Sequence, residues 1–337
     1  MFCLRRLRRN APLKPYGGRF LPSEEGYGPS CYSEPHLSVE ARSVSGDDRF
    51  GSTLANLHRF YNTRLGLRNQ GRFLETGPFR NSVIIDIHTH VVLGDLKEDP
   101  RHALDRLLLL ADHVGIDRLC MLGNVGRFGI HPAARGVRTI NNVTLKLMKH
   151  RPDRVFGFCY LNPVNDPAFL DEELERCVAA GMRGIKLWVA VNARDSRLDP
   201  IMARAGQLGI PVLHHAWYKT VQKGPTESDP SDIADLARRF PGTNIVMAHL
   251  IAAGIRGVLD IQPCHNVSID TSGSQPQAGI IEYAVKKIGA ERIVFGSDMG
   301  VRDYASSLAK VEGARISQRE HGLILGENAA RLLKLKA

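Results

Sequence analysis

The chain has no cysteine pair at C-x-x-C spacing: Cys3, Cys31, Cys120, Cys159, Cys177 and Cys264 are scattered over 337 residues. That argues against a cysteine zinc site, and a chain this long has no need of disulfide staples, so the thiols point to a reducing compartment. No window reaches the roughly 18 uninterrupted apolar residues that a membrane span requires. No G-x-G-x-x-G or G-x-x-x-x-G-K-[ST] follows any apolar run, and GRFG at 126–129 is too short to stand in for one. The glycine-rich phosphate cradles are therefore missing. Acidic residues are absent before Glu24, whereas the opening MFCLRRLRRN holds four arginines.

What is present is an ordinary globular composition, 43% hydrophobic and 24% charged. The net charge of +10 is unevenly spread. Residues 1–80 carry 13 Lys and Arg against 7 Asp and Glu, and the remaining 257 carry 32 against 28. The basic excess belongs mainly to the N-terminal segment, and no nucleic-acid-binding motif accompanies it, so neither nucleic acid nor membrane is an expected partner. Residues 10–53 mix Gly, Pro and Ser without periodicity, as in APLKPYGGRFLPSEEGYGPS. This reads as a poorly ordered, loop-rich extension over 1–80, with one short helix at 54–66. The Arg-rich, acid-poor start fits either an organellar transit peptide or an extension with no targeting role. The expected location is cytoplasmic, with a mitochondrion or other organelle as the alternative.

From residue 81 onward short apolar runs alternate with amphipathic stretches. The runs are 83–88, 117–122, 154–161, 184–189, 210–215, 244–249, 266–270 and 292–298. Near-continuous apolar runs are what strands buried on both faces look like. Between them lie helix candidates at 101–114, 139–150, 167–180, 199–208, 230–240, 251–261, 277–288 and 303–313, two of them opening on Asp99-Pro100 and Asp229-Pro230. Eight such units over 81–337 predict an α/β fold, a (β/α)8 TIM barrel. An open doubly wound sheet is the alternative.

The first run, VIIDIHTHVV, places an acid and two histidines in a buried setting. Strict strand alternation puts Asp86, His88 and His90 on one face. With 13 histidines in the chain, chance supplies roughly 0.5 His-x-His pairs, so this pair alone is weak. Position strengthens it. His88 and His90 close the first run, His214 and His215 the fifth, His249 the sixth and Asp298 the eighth, and in a barrel these ends share one rim. Nitrogen and oxygen donors without thiolate suit one divalent ion, Zn²⁺ foremost, with Mn²⁺, Fe²⁺ or Co²⁺ as alternatives. Such an ion lowers the pKa of water from 15.7 to about 7. Arg127 and Arg302, in the loops after the second and eighth runs, are candidates for binding a substrate carboxylate bidentately.

The set D-x-H-x-H (86–90), P-V-L-H-H (211–215), V-M-A-H-L (246–250) and F-G-S-D (295–298) resembles the amidohydrolase superfamily. The likeness is closer to its amidohydrolase-2 branch, which includes aminocarboxymuconate-semialdehyde decarboxylase-like enzymes. HRPDRVFGFCYLNP (150–163), GMRGIKLW (181–188), NVSIDTSG (266–273) and ILGENAARLLKL (324–335) support it. The resemblance implies His88, His90, His215 and Asp298 as metal ligands, Asp298 also moving a proton, and His249 as a general acid/base. His214 then turns to the other strand face, and Asp86 orients the His-x-His segment. Lys186 falls where some superfamily members carry a carboxylated lysine between two metals, although single-metal members have this lysine too. Trp217 falls where decarboxylase-like members carry Trp, a flat surface for a planar substrate. The branch often has Pro two residues after the last aspartate; here Gly300 stands there and is expected to loosen the loop.

Three functions follow as expectations. The first is a metal-dependent hydrolase, in which metal-bound hydroxide attacks a C–N or C–O carbonyl and Asp298 shuttles the proton. The second is a non-oxidative decarboxylase of an unsaturated or aromatic carboxylate. The third is a barrel that binds metal without catalysis. The expected partner is a small carboxylate or carbonyl compound, and the branch suggests a homodimer.

Overall fold

A computed structural model describes residues 83–91, 98–219, 223–274 and 277–335. The extension over 1–80, with Cys3, Cys31, the arginine-rich start and the helix expected at 54–66, lies outside the described residues.

Each apolar run forms a short strand: β1 Ile85–Thr89, β2 Arg118–Met121, β3 Val155–Gly157 with β4 Cys159–Tyr160, β5 Ile185–Leu187, β6 Val212–His214, β7 Ile245–Met247, β8 Val267–Asp270 and β9 Ile293–Val294. The third run is divided at Phe158, whose N–H still donates to Met121 of β2 (3.0 Å) while Cys159 N–H turns to Gly184 O (2.8 Å). All pairings are parallel, in the order β1-β2-β3 and β4-β5-β6-β7-β8-β9. The last run returns to the first through Ile87 N–H to Phe295 O (3.0 Å), Asp298 N–H to His88 O (2.8 Å) and His90 N–H to Met299 O (2.7 Å). The sheet therefore closes into the expected eight-stranded TIM barrel.

The helices are α1 Pro100–Val114, α2 Ala134–His150, α3 Pro167–Ala179, α4 Asp199–Leu208, α5 Pro230–Arg239, α6 Leu250–Ile261, α7 Ile280–Ile288, α8 Tyr304–Glu312, α9 Gln318–Gly322 and α10 Asn328–Leu332. Asp99 and Asp229 cap α1 and α5 as their Asp-Pro starts imply, Asp99 accepting from Arg101 N–H and Asp229 from Ser231 and Asp232 N–H. Helix α2 begins five residues before the expected start. Its cap, Ala133, makes no side-chain hydrogen bond, so the usual start signal is missing. None of the described helices is long and apolar enough to cross a membrane.

Period-two alternation sorts the strand side chains into two cores. Leu119, Met121, Val155, Ile185, Val212, Ile245, Val267 and Ile293 pack outward under the helices. Ile85, Ile87, Cys120, Leu122, Phe156, Phe158, Leu213, Val246 and Val294 fill the interior, together with Ala329 and Leu333 of the C-terminal segment. The side chain of Asn328 holds that segment on by donating to Ala290 O (2.7 Å) and Ile293 O (2.8 Å). Cys120, Cys159, Cys177 and Cys264 are buried free thiols.

β1 departs from simple alternation. Asp86 pairs with Leu119 but Thr89 with Met121, so β1 spends three residues where β2 spends two. This bulge corrects the expectation that Asp86, His88 and His90 share a face. Asp86 and Thr89 lie together, joined by a 2.9 Å hydrogen bond, on the outward side, while Ile87 packs in the interior and His88 and His90 turn toward the barrel mouth.

Phe158 is wholly buried in the interior core. Phe158→Ala is expected to cost about 3–5 kcal/mol, read as a lower urea midpoint with an unchanged slope.

Candidate metal centre

Asp86 is wholly buried at the seam between the first and last strands. Its Oδ1 accepts from His88 N–H (2.9 Å) and Ser297 N–H (3.0 Å), and its Oδ2 from the hydroxyls of Thr89 (2.9 Å) and Ser297 (2.5 Å). Burial pushes this carboxyl up to about 6 against the pull of those donors. One side chain thus ties the segment bearing His88 and His90 to the segment bearing Asp298.

Each histidine has one nitrogen fixed by an acceptor. His90 Nδ1–H donates to Gly123 O (2.6 Å), and His88 Nδ1–H to Asp270 Oδ2 (2.7 Å). Burial lowers both imidazoles, His90 to about 3 and His88 well below the ordinary histidine value, so both rings are neutral and each Nε2 is a bare lone pair. These two lone pairs face Asp298 Oδ1 at 3.5 and 3.7 Å. Hydrogen bonds between such atoms run about 2.7–3.2 Å. Here three acceptors are gathered with no hydrogen among them, at a spacing that a cation about 2 Å from each would satisfy. The donor set fits a divalent ion.

The backbone is bent to achieve this. His249 (φ 73°) and Asp298 (φ 59°) both adopt the left-handed conformation that non-glycine residues rarely hold. Gly300, at φ 104°, does not loosen the loop as expected. A Cβ there would stand 2.5 Å from His90 O, so glycine is what lets the last strand approach the first.

Asp270, not among the residues expected from the sequence, orients the cluster. Besides His88, it accepts from His249 N–H (3.0 Å), Ser272 N–H (3.0 Å) and Ser272 Oγ–H (2.5 Å). Asp270, His88 and His249 are close enough to form a second ligand group. The carboxylate is already saturated by protein donors, which argues against a second ion there. The residue closes the seventh run, so the rule that singled out His249 and Asp298 reaches it as well.

His249 Nδ1 meets Ser272 Oγ at 2.8 Å, and its Nε2 meets His215 Nδ1 at 3.2 Å. The other nitrogen of His215 lies 3.2 Å from Glu227 Oε1, which also binds Lys219 (2.9 Å). Of the four ligands expected, the structure brings His88, His90 and Asp298 within ligand reach of one another; His215 is outside that group, its ring 5.0 Å from that of His249. Glu227 and Ser272 had no sequence signal, since both lie in loops beyond the strand ends.

Trp217 is at the rim, its ring 5.4 Å from His249 and 6.4 Å from His215. The Arg302 guanidinium is beside the cluster, Nε 4.0 Å from Asp298 Oδ2. Arg127 instead lies over Phe128, and among the described residues no contact joins it to the cluster. His214 turns away, Nδ1–H donating to His215 O (2.7 Å). Lys186 is buried in the barrel, its ammonium lowered by burial and held up by Asp298 and Asp270.

These features define a class: (β/α)8 barrels with a histidine–carboxylate centre at the carboxyl ends of their strands. The amidohydrolase family model matches residues 85–335, and the chain belongs to that family. Three solved structures show the same fold. The 2,6-dihydroxybenzoate decarboxylase from Rhizobium is 22% identical, with a TM-score of 0.61 over 76% of this chain and 99% of that one. A dihydroxybenzoic acid decarboxylase from Polaromonas sp. JS666, with bound manganese and the inhibitor 2-nitroresorcinol, is 20% identical (TM-score 0.60, 76% and 98%). The 4-oxalomesaconate hydratase from Rhodopseudomonas palustris is 18% identical (TM-score 0.57, 75% and 96%). No curated protein matches the chain.

Asp270→Ala strips the acceptor from four buried donors. With each unpaired donor worth about 1–3 kcal/mol and the losses overlapping, destabilisation of about 3 kcal/mol or more is expected in denaturant unfolding.

Proposed function

We propose that this protein is a divalent-metal-dependent carboxy-lyase acting on a planar unsaturated or aromatic carboxylate. The observation that carries the reading is the juxtaposition of the His88–His90–Asp298 cluster with the Arg302 guanidinium, 4.0 Å from Asp298. In this reading His88, His90 and Asp298 hold the ion, with His215 as fourth ligand. Such an ion supplies Lewis acidity when bound, polarising substrate oxygens. Arg302 pairs with the substrate carboxylate, and Trp217 lies along the plane of its conjugated system. As CO₂ leaves, the electron pair of the broken C–C bond stays on carbon, and Asp298, whose carboxyl burial raises, takes up a proton from solvent and passes it to that carbon. His249, fixed through Ser272 and Asp270, orients the substrate's oxygen. The decarboxylases among the structural neighbours support this reading.

A second reading, hydrolysis of a C–N or C–O carbonyl bond with Asp298 shuttling the proton, is favoured by the family's own description. The all-nitrogen-and-oxygen donor set suits Zn²⁺, and the manganese in the Polaromonas protein supports Mn²⁺ as the alternative. The buried free thiols support a cytoplasmic location, and the homodimer of the branch completes the reading.

The test is CO₂ release from a panel of aromatic and unsaturated carboxylates by protein loaded with Zn²⁺ or Mn²⁺. Release is expected, falling about 10²–10⁴-fold in Asp298→Asn. Cleavage of amides, esters or lactones without CO₂ from any carboxylate would select hydrolysis instead.

A further inference from the structure

Glu227 stands in a segment, 223–229, that is hydrogen-bonded to the loop following β5. It is 6% exposed, and its carboxylate accepts from Gly224 N–H (3.2 Å), Lys219 Nζ (2.9 Å) and His215 Nε2 (3.2 Å). The surrounding loop is pinned independently. Thr226 Oγ1 donates to Val189 O (2.6 Å), Ala193 N–H donates to Ser228 Oγ (2.9 Å), and Asn192 Nδ2 to Glu227 O (3.3 Å). A carboxylate so held accepts from whichever histidine nitrogen faces it, and that nitrogen is Nε2.

We propose that Glu227 is a positioning residue that fixes His215 as the Nε2–H tautomer and so presents its Nδ1 lone pair to the metal centre. This rests on the metal-dependent reading above. A proton count supports it. The chain Glu227–His215–His249–Ser272–Asp270 has four links. Two neutral imidazoles and one hydroxyl carry three hydrogens, so one link must lack a proton. Both ends of the chain are carboxylates and can only accept. With Nε2–H committed to Glu227, His215 Nδ1 is a lone pair whichever nitrogen of His249 carries its hydrogen. An ion bound there would leave His249 to give its hydrogen to Ser272 Oγ, whose own goes to Asp270, and its Nε2 to meet substrate. A histidine ligand whose far nitrogen donates to a carboxylate is a common arrangement for holding ring orientation and raising ligand basicity. Glu227 provides it from a different loop from the one that follows His249, so the two histidines are oriented by separate anchors, Glu227 and Asp270.

The test titrates chelator-stripped full-length protein with Co²⁺, reading calorimetry and the visible cobalt spectrum for wild type, Glu227→Gln and Thr226→Val. Glu227→Gln is expected to weaken Co²⁺ binding about 10–100-fold and to alter the spectrum, while Thr226→Val, which loosens the same loop without touching His215, binds as wild type does. Unchanged affinity and spectrum in Glu227→Gln, or equal weakening by Thr226→Val, would overturn the proposal. Absence of Co²⁺ binding by wild type would overturn the metal-dependent reading itself. Should Glu227→Gln fail to fold, ¹⁵N NMR of His215 in the Zn²⁺-loaded wild type decides: an Nε2–H signal is expected, and an Nδ1–H tautomer contradicts the assignment.

Discussion

Two imidazole lone pairs and a carboxylate oxygen aimed at one point repel each other, and the rest of the barrel mouth is arranged to hold them there. His88 and His90 cannot relieve the repulsion by turning, because Asp270 and the Gly123 carbonyl each hold the opposite ring nitrogen. Asp298 cannot withdraw, because its backbone is hydrogen-bonded to His88 O and held in the left-handed region. An arrangement of three converging acceptors is unfavourable alone and favourable around a cation. Burial sharpens this by keeping both imidazoles unprotonated.

The fold carries that constraint through one seam. Where the last strand meets the first, Asp86 accepts four hydrogen bonds from His88, Thr89 and Ser297. The bulge in β1 supplies the extra residue that lets Asp86 face outward while His88 and His90 face the mouth. Gly300 allows His90 O to approach the returning chain. Asp86 is thus both the device that closes the barrel and the one that sets the spacing of the candidate ligands.

Much of this was legible in the sequence, and the misses have physical causes. The eight runs gave the barrel because strands buried on both faces are apolar throughout. Asp-Pro starts gave α1 and α5, whereas α2 began early because Ala133 offers no cap. His88, His90, His249 and Asp298 were found from their places at strand ends. The face of Asp86 departs from strict alternation because a bulge shifts it by one residue and leaves no mark in composition. Glu227 and Ser272 act from loops, whose course depends on contacts distant in sequence, and Arg127 fails to reach the cluster for the same reason.

The most direct measurement is anomalous diffraction at the metal edge from crystals of the protein loaded with Zn²⁺ or Mn²⁺. The account predicts one peak lying about 2.0–2.2 Å from His88 Nε2, His90 Nε2 and an Asp298 oxygen. No peak at those atoms, or a single peak bound instead by Asp270 and His249, would contradict it.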